Sequence, residues 1–203
     1  QQRPLEPIGI NTYSIFSKHM VSSALSRIFL YTPTFNGGWY PGILDEADAV
    51  AGKESGGLRS LLGRLEQHLG LAGGAVSSPE RIILSTRAVL KYLDQSPQAL
   101  FAESFALDPI AVARRLLLWR DELLLHGWEG DESVLPPRLR EAVAALSSGP
   151  AQIPPGIPDR IRLILEELSE RKEAIYSAIR LLRPVAEEPV LVRRLFDGLK
   201  ETG

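Results

Sequence analysis

Residues 108–127 read DPIAVARRLLLWRDELLLHG, and both ends of a helix are written into them. Asp108 can accept from a first-turn N–H, Pro109 suits the first helical position, and Gly127 can take the left-handed conformation that closes a helix. With successive residues 100° apart, Val112, Ala113, Leu116, Leu117, Trp119, Leu123 and Leu124 fall in one apolar arc, while Arg114, Arg115, Asp121 and Glu122 share the opposite side. Arg120 breaks the pattern by falling near the middle of the apolar arc. A guanidinium there needs a carboxylate, because burying an unpaired charge costs several kcal/mol. It is therefore expected to belong to a buried ion pair, with Asp94, Glu103 or Glu66 as candidate partners.

Working outward, other helices follow from the same rules. Leucine recurs at 58, 61, 62, 65 and 69, a helical stripe that stops at Gly70. Ser78-Pro79-Glu80 is a cap, a first-turn proline and a first-turn acid, opening a helix that buries Ile82, Ile83, Val89, Leu90 and Leu93 and runs to about Asp94. Residues 98–105 suggest a further short helix, and 136–146 another that faces inward through Leu139, Val143 and Leu146. The segment SSGPAQIPPGIP, 147–158, is a proline-rich connector. Beyond it, apolar residues at 161, 164, 165 and 168 predict a helix over 159–171, and Leu191, Leu195, Phe196 and Leu199 one over 188–200.

Two segments read as strands. RIFLYT, 27–32, is β-branched and aromatic, bounded by Pro33, and predicts a buried strand. Residues 174–182 fit either helix or strand, and a strand is favoured for the second half because Arg183-Pro184 stops it. FNGGWYPG, 35–42, and the acidic then glycine-rich 45–57 are expected to be loops, and 1–24 a poorly ordered leader or remnant that precedes the structure at about Met20. The expected class is α/β and helix-dominated, with about six to seven helices and a few short strands. Residues 25–203 form the module, with 147–158 as a place where it can split.

Composition narrows the function classes. The 203-residue chain is 44% hydrophobic and 24% charged with a net charge of -2, which is ordinary for a globular protein and argues against a strongly basic nucleic-acid clamp. No cysteine is present, which removes disulfides and thiolate chemistry, and His19, His68 and His126 lack paired ligand spacing, so no metal site is expected. No apolar run reaches the length of a membrane span, and a cytoplasmic setting is the default expectation.

Sequence motifs for catalysis are lacking. GxxxxGK[ST], GxSxG, HExxH, the dinucleotide-binding glycine fingerprint and the DxDxDG loop are all missing, so neither a catalytic residue nor a cofactor is expected. Two readings stand for the arginine pairs Arg114-Arg115 and Arg193-Arg194. They can contact phosphates, or they can form solvated faces, with Asp121 and Glu122 seven residues on from Arg114 and Arg115. Trp119 points into the apolar arc and is expected in the core. Trp39, in its glycine loop, is the candidate stacking platform for a base, with a packed loop anchor as the other reading.

In this order, FNGGWYPG (35–42), GLRSLLGRLEQHLGL (57–71), FAESFALDPIAVARRLLLWRDELLLHGWEG (101–130) and IPPGIPDRIRLILEEL (153–168) resemble the N-terminal part of bacterial PD-(D/E)XK nuclease-family proteins. These are the large AddB-type polypeptides that look like an inactivated superfamily I helicase with a nuclease domain at the far end. The most specific part of the resemblance spans 105–130, where Asp108, Trp119, Arg120, Asp121, Gly127 and Trp128 are the signature. It implies a degenerate helicase N-terminal domain without a P-loop, double-strand-end processing and DNA repair. It also implies DNA and a helicase-nuclease subunit as partners, and a nuclease centre beyond this chain, making the chain a fragment or a shortened relative. The alternative is a stand-alone helical protein-interaction module with no nucleic-acid role, consistent with the near-neutral charge and the leucine stripes.

Overall fold

The computed structural model describes residues 13–14, 27–33, 53–71, 78–149, 152–171 and 175–202. It is α/β and helix-dominated, with seven α-helices and a four-stranded sheet among the described residues. The chain divides into two compact units, one of residues 1–71, 164–188 and 193–203, the other of 72–163 and 189–192.

The first unit is built on strand β2, Ile28–Tyr31, whose Phe29, Leu30 and Tyr31 are all buried. A strand covered on both faces needs apolar side chains throughout, which is what RIFLYT supplies. β2 lies parallel to both of its neighbours, β3 (Lys53–Gly56) and β4 (Ala178–Leu181), and β1 (Tyr13–Ser14) pairs antiparallel with the outer side of β4. Helix α1, Leu58–Leu69, packs on β2 and β3 through Leu61, Leu62 and Leu65, each fully buried, and ends at Gly70. Phe29 meets Tyr176 edge to face at 5.6 Å, and Tyr31 meets Phe196 at 5.1 Å.

Only part of this sheet agrees with the sequence reading. The strand at 27–32 and the strand in the second half of 174–182 are present. Lys53–Gly56, expected to be loop, is instead a strand. It carries no apolar alternation because it pairs through its main chain at the edge of the sheet. A Cβ on Gly56 would lie 2.6 Å from the Ser60 Cβ, so the crossing from β3 into α1 is close enough to require glycine. Residues 35–42 and 45–52, and residues 1–24 other than the two of β1, lie outside the described residues.

In the second unit, α2 (Ser78–Gln95), α3 (Ala102–Leu107), α4 (Pro109–Leu125) and α5 (Pro137–Ser147) enclose a core of Val89, Phe101, Phe105, Leu116 and Leu146. Ala88, Ala113, Ala142 and Ala145, nearly or wholly inaccessible, let the helices approach closely where α2 and α4 pack on each other and on α5. The central helix starts as its sequence requires, with Asp108 Oδ1 accepting from the Ala111 N–H at 2.9 Å. Beyond its end Gly127 holds φ +97°, a conformation open to glycine and costly to other residues. Trp119 is a correction: it is half-buried, packed against the core rather than within it. Helix α6, Ile157–Arg171, follows the connector and crosses from the second unit into the first, as does α7, Val190–Glu201.

Gly63 gives a first prediction. It sits in the interior of α1 and a Cβ there would meet nothing within 4 Å. Gly63→Ala is therefore expected to stabilise the protein by about 0.5–1 kcal/mol, the helix-propensity difference, read as a rise in the denaturation midpoint at unchanged slope. A lower midpoint contradicts it.

Candidate functional site

Arg120 lies in the middle of the buried face of α4 and its charge is answered across the unit. Its Nη2 donates to Asp159 Oδ1 at 2.7 Å and its Nη1 to Asp159 Oδ2 at 3.0 Å, a bidentate pair. Nη1 also reaches Asp121 Oδ1 at 2.9 Å. Asp121 in turn holds Arg81, whose Nη1 and Nη2 donate to Asp121 Oδ2 and Oδ1 at 2.9 and 3.1 Å. The result is an alternating chain, Arg81, Asp121, Arg120 and Asp159, of two cations and two anions with side chains 14% to 26% exposed.

The network also fastens the proline-rich connector. Arg81 Nε donates to the Pro154 carbonyl at 2.9 Å, and the Gly156 N–H donates to Asp159 Oδ2 at 2.7 Å. Asp159 thus reaches back from the first turn of α6 to the residue before it, the acidic half of a capping box. A Cβ on Gly156 would lie 2.5 Å from Arg81 Nη2 and 2.8 Å from Asp121 Oδ2, so the chain passes directly against the ion pairs. One turn further on, Arg162 Nη2 donates to the Trp128 carbonyl at 2.7 Å, and Trp128 Nε1 to the Asp131 carbonyl at 2.8 Å.

This geometry settles what the cluster can do. Burial pushes the Asp159 carboxyl up, but the hydrogen bonds and charge of Arg120, the Gly156 N–H and the charge of Arg81 together hold it below the usual carboxylate range. Arg120 is likewise held protonated: desolvation works against its charge, and Asp159 and Asp121 outweigh it. A carboxylate so held is neither a general acid nor a poised base near neutral pH. The cluster is a clamp that joins α2, α4, the connector and the start of α6.

The ion-pair membership expected of Arg120 is thus present with other partners. Asp94 and Glu103 are exposed on their helices, and Glu66 belongs to the first unit. Asp121, expected on the solvated side with Arg114, turns inward to Arg81 and Arg120 instead.

The other predicted site residues are divided between the two units. Arg114 and Arg115 are exposed on α4, whereas Arg193 and Arg194 lie on the part of α7 that belongs to the first unit. Arg193 is half-buried, and its Nε is buried without a hydrogen-bond partner among the described residues. Trp39 lies outside the described residues. His68 is exposed near the end of α1 and His126 at the C-terminal end of α4. Among the described residues no group of three or more His, Asp and Glu side chains gathers as round a metal ion, and no helix is long and apolar enough to cross a membrane.

Two adjoining clefts in the first unit escaped the sequence reading. One, of about 490 Å³, is lined by Glu54, Arg59, Ser60, Gly63, Arg64 and Gln67, and the other, of about 440 Å³, shares Glu54, Arg64 and Gln67 and adds Arg27 and Tyr176. Arg64 Nε meets Glu54 Oε2 at 3.2 Å. Tyr176 is buried below the second cleft. Its hydroxyl is pushed up to about 12 by burial and then by the charge of Glu54, against the opposing pull of Arg64 and Arg27. The signal available in the sequence was Arg59 and Arg64 on the polar side of the leucine stripe. It was outweighed by the more conspicuous arginine pairs. No protein family, curated protein or solved structure matches this chain.

Proposed function

We propose that this chain is a non-catalytic N-terminal module of a DNA-repair helicase-nuclease, contributing DNA or partner-subunit binding in double-strand-end processing. The observation that carries the reading is the ordered set of segments resembling bacterial PD-(D/E)XK nuclease-family proteins. Signature residues of one of those segments meet a side chain of another. Arg120 and Asp121 from the first and Asp159 from the second make one network, and the Trp128 carbonyl is held by Arg162. In this reading the signature is architectural, and any catalysis and any bound cofactor belong to other parts of a cytoplasmic assembly.

A second reading, a helical protein-interaction module without a nucleic-acid role, is favoured by the apolar residues Leu107, Ile110 and Leu118, which are 89%, 56% and 46% exposed. Forked-DNA binding and partner-subunit capture, measured on the full-length protein and on a version lacking this region, separate the readings. Loss of DNA binding supports the first. Loss of capture with DNA binding intact supports a protein interface, and no change in either sinks the proposal.

A further inference from the structure

The clefts beside β3 and α1 carry an excess of positive charge and of hydrogen-bond donors. Arg27, Arg59 and Arg64 face one carboxylate, Glu54, and among the described residues neither the Arg27 nor the Arg59 side chain has an ion-pair partner. Ser60 and Gln67 add a hydroxyl and an amide from the same side of α1. Guanidinium forks beside neutral donors suit phosphate oxygens. Arg59 and Arg64 are separated by five residues, about 7.5 Å along the helix, so they serve different points of an extended ligand.

Gly63 points the same way from an independent direction. Glycine is the least favourable helix-interior residue after proline, and this one lies on α1 between Arg59 and Gln67 in the cleft lining. The fold does not ask for it, since a Cβ would meet nothing within 4 Å. A bare backbone at such a place lets another chain approach closely.

We infer that this groove holds the sugar-phosphate backbone of a single nucleic-acid strand, through Arg27, Arg59 and Arg64 with Gly63 left open beneath it. A cleft of a few hundred Å³ takes one strand rather than a duplex. Phe29 and Tyr176, the aromatic residues that line it, are 1% and 5% exposed and offer no face for base stacking. The contact is therefore electrostatic and independent of sequence. The inference rests on the DNA-binding half of the proposed function and places it on different arginines from the pairs at 114–115 and 193–194.

The test is binding of a labelled forked DNA with a single-stranded tail to the full-length protein, across salt from about 50 to 200 mM. Arg59→Ala with Arg64→Ala is expected to weaken binding roughly tenfold and to flatten the plot of log K against log salt by about 1 to 2. The melting midpoint should fall slightly at most, by no more than the usual worth of an exposed pair such as Arg64–Glu54. Gly63→Leu, whose Cβ would meet nothing within 4 Å, is expected to weaken binding several-fold while the melting midpoint rises, as the gain in helix propensity requires. Arg114→Ala with Arg115→Ala serves as the control and should leave the slope alone. An unchanged slope in the Arg59/Arg64 variant, or a slope that moves with Arg114 and Arg115 instead, overturns the inference. So does displacement of the DNA by inorganic phosphate at matched phosphate concentration, which marks a single-anion site, or loss of partner-subunit capture with the slope intact, which marks an acidic protein segment. If deleting the whole region abolishes DNA binding while these variants do nothing, the groove fails and the proposed function stands.

Discussion

Arg120→Ala is expected to lower the unfolding free energy by about 2–3 kcal/mol at neutral pH. Removing one member of a fully buried pair costs roughly 3–5 kcal/mol. The Arg120 and Asp159 side chains are 26% and 22% exposed, which argues for a value below that range. The loss is large because, among the described residues, Asp159 then keeps the Gly156 N–H as its one hydrogen-bond donor and Asp121 keeps Arg81. Arg120→Lys should recover part of it, since an ammonium restores charge but cannot span both Asp159 oxygens.

The pH dependence has a definite sign. Asp159 is held below its unfolded value, so the stability it contributes is fully present above about pH 4 and is lost as pH falls through its lower folded value. The difference between wild type and Arg120→Ala should therefore shrink on acidification below about pH 4. Denaturant melts at pH 7 and pH 3 decide it. A difference under about 0.5 kcal/mol at pH 7, or one of the same size at both values, refutes the clamp.

The second large effect is in the first unit. Phe196→Ala is expected to cost about 3–5 kcal/mol, the usual range for truncating a buried aromatic residue. Phe196 is 1% exposed, and its ring stands at 76° to that of Tyr31 on the central strand. Tyr31 is itself fixed at its far end, where the hydroxyl donates to Glu188 Oε2 at 3.2 Å. Burial, reinforced by Glu188, raises the pKa of that hydroxyl far above its ordinary value. Phe196→Leu, which keeps most of the volume, should cost about half as much or less. Equilibrium unfolding of both variants is the check, and an alanine effect below about 1 kcal/mol contradicts this account of the core.

What could be read from the sequence is what depends on local rules. The helices were legible because their apolar period and their end signals agree, as in Asp108, Pro109 and Gly127 around α4. The misfit of Arg120 was legible for the same reason, since a charge stands out only against a pattern. Its partner was not, because Asp159 lies 39 residues away beyond the proline-rich connector, and no periodicity reaches across it. β3 was missed because Lys53–Gly56 draws its strand character from β2 beside it and not from its own side chains. Asp121 was placed with Arg114 by their spacing along the helix, yet it lies near the edge of the arc, where a side chain can turn either way. Arg81 decided that choice.

The parallel pairing of β2 with β4 sets an order of events during synthesis. β3 follows β2 by some twenty-five residues, but the register that joins Ile28 to Ala178 spans 150, as does the Ser177 to Arg27 contact beside it. At ribosomal speeds of about 5–20 residues per second, the wait is roughly 8–30 s. Throughout it, one ladder edge of Phe29, Leu30 and Tyr31 has nothing to pair with. The residues made in the meantime include nearly all of the second unit, whose helices touch near neighbours in sequence and can assemble at once. A nascent chain thus carries a finished helical body while an apolar strand made earlier still waits for its partner. That strand is the segment where a holding chaperone would act and where mispairing between neighbouring nascent chains would begin.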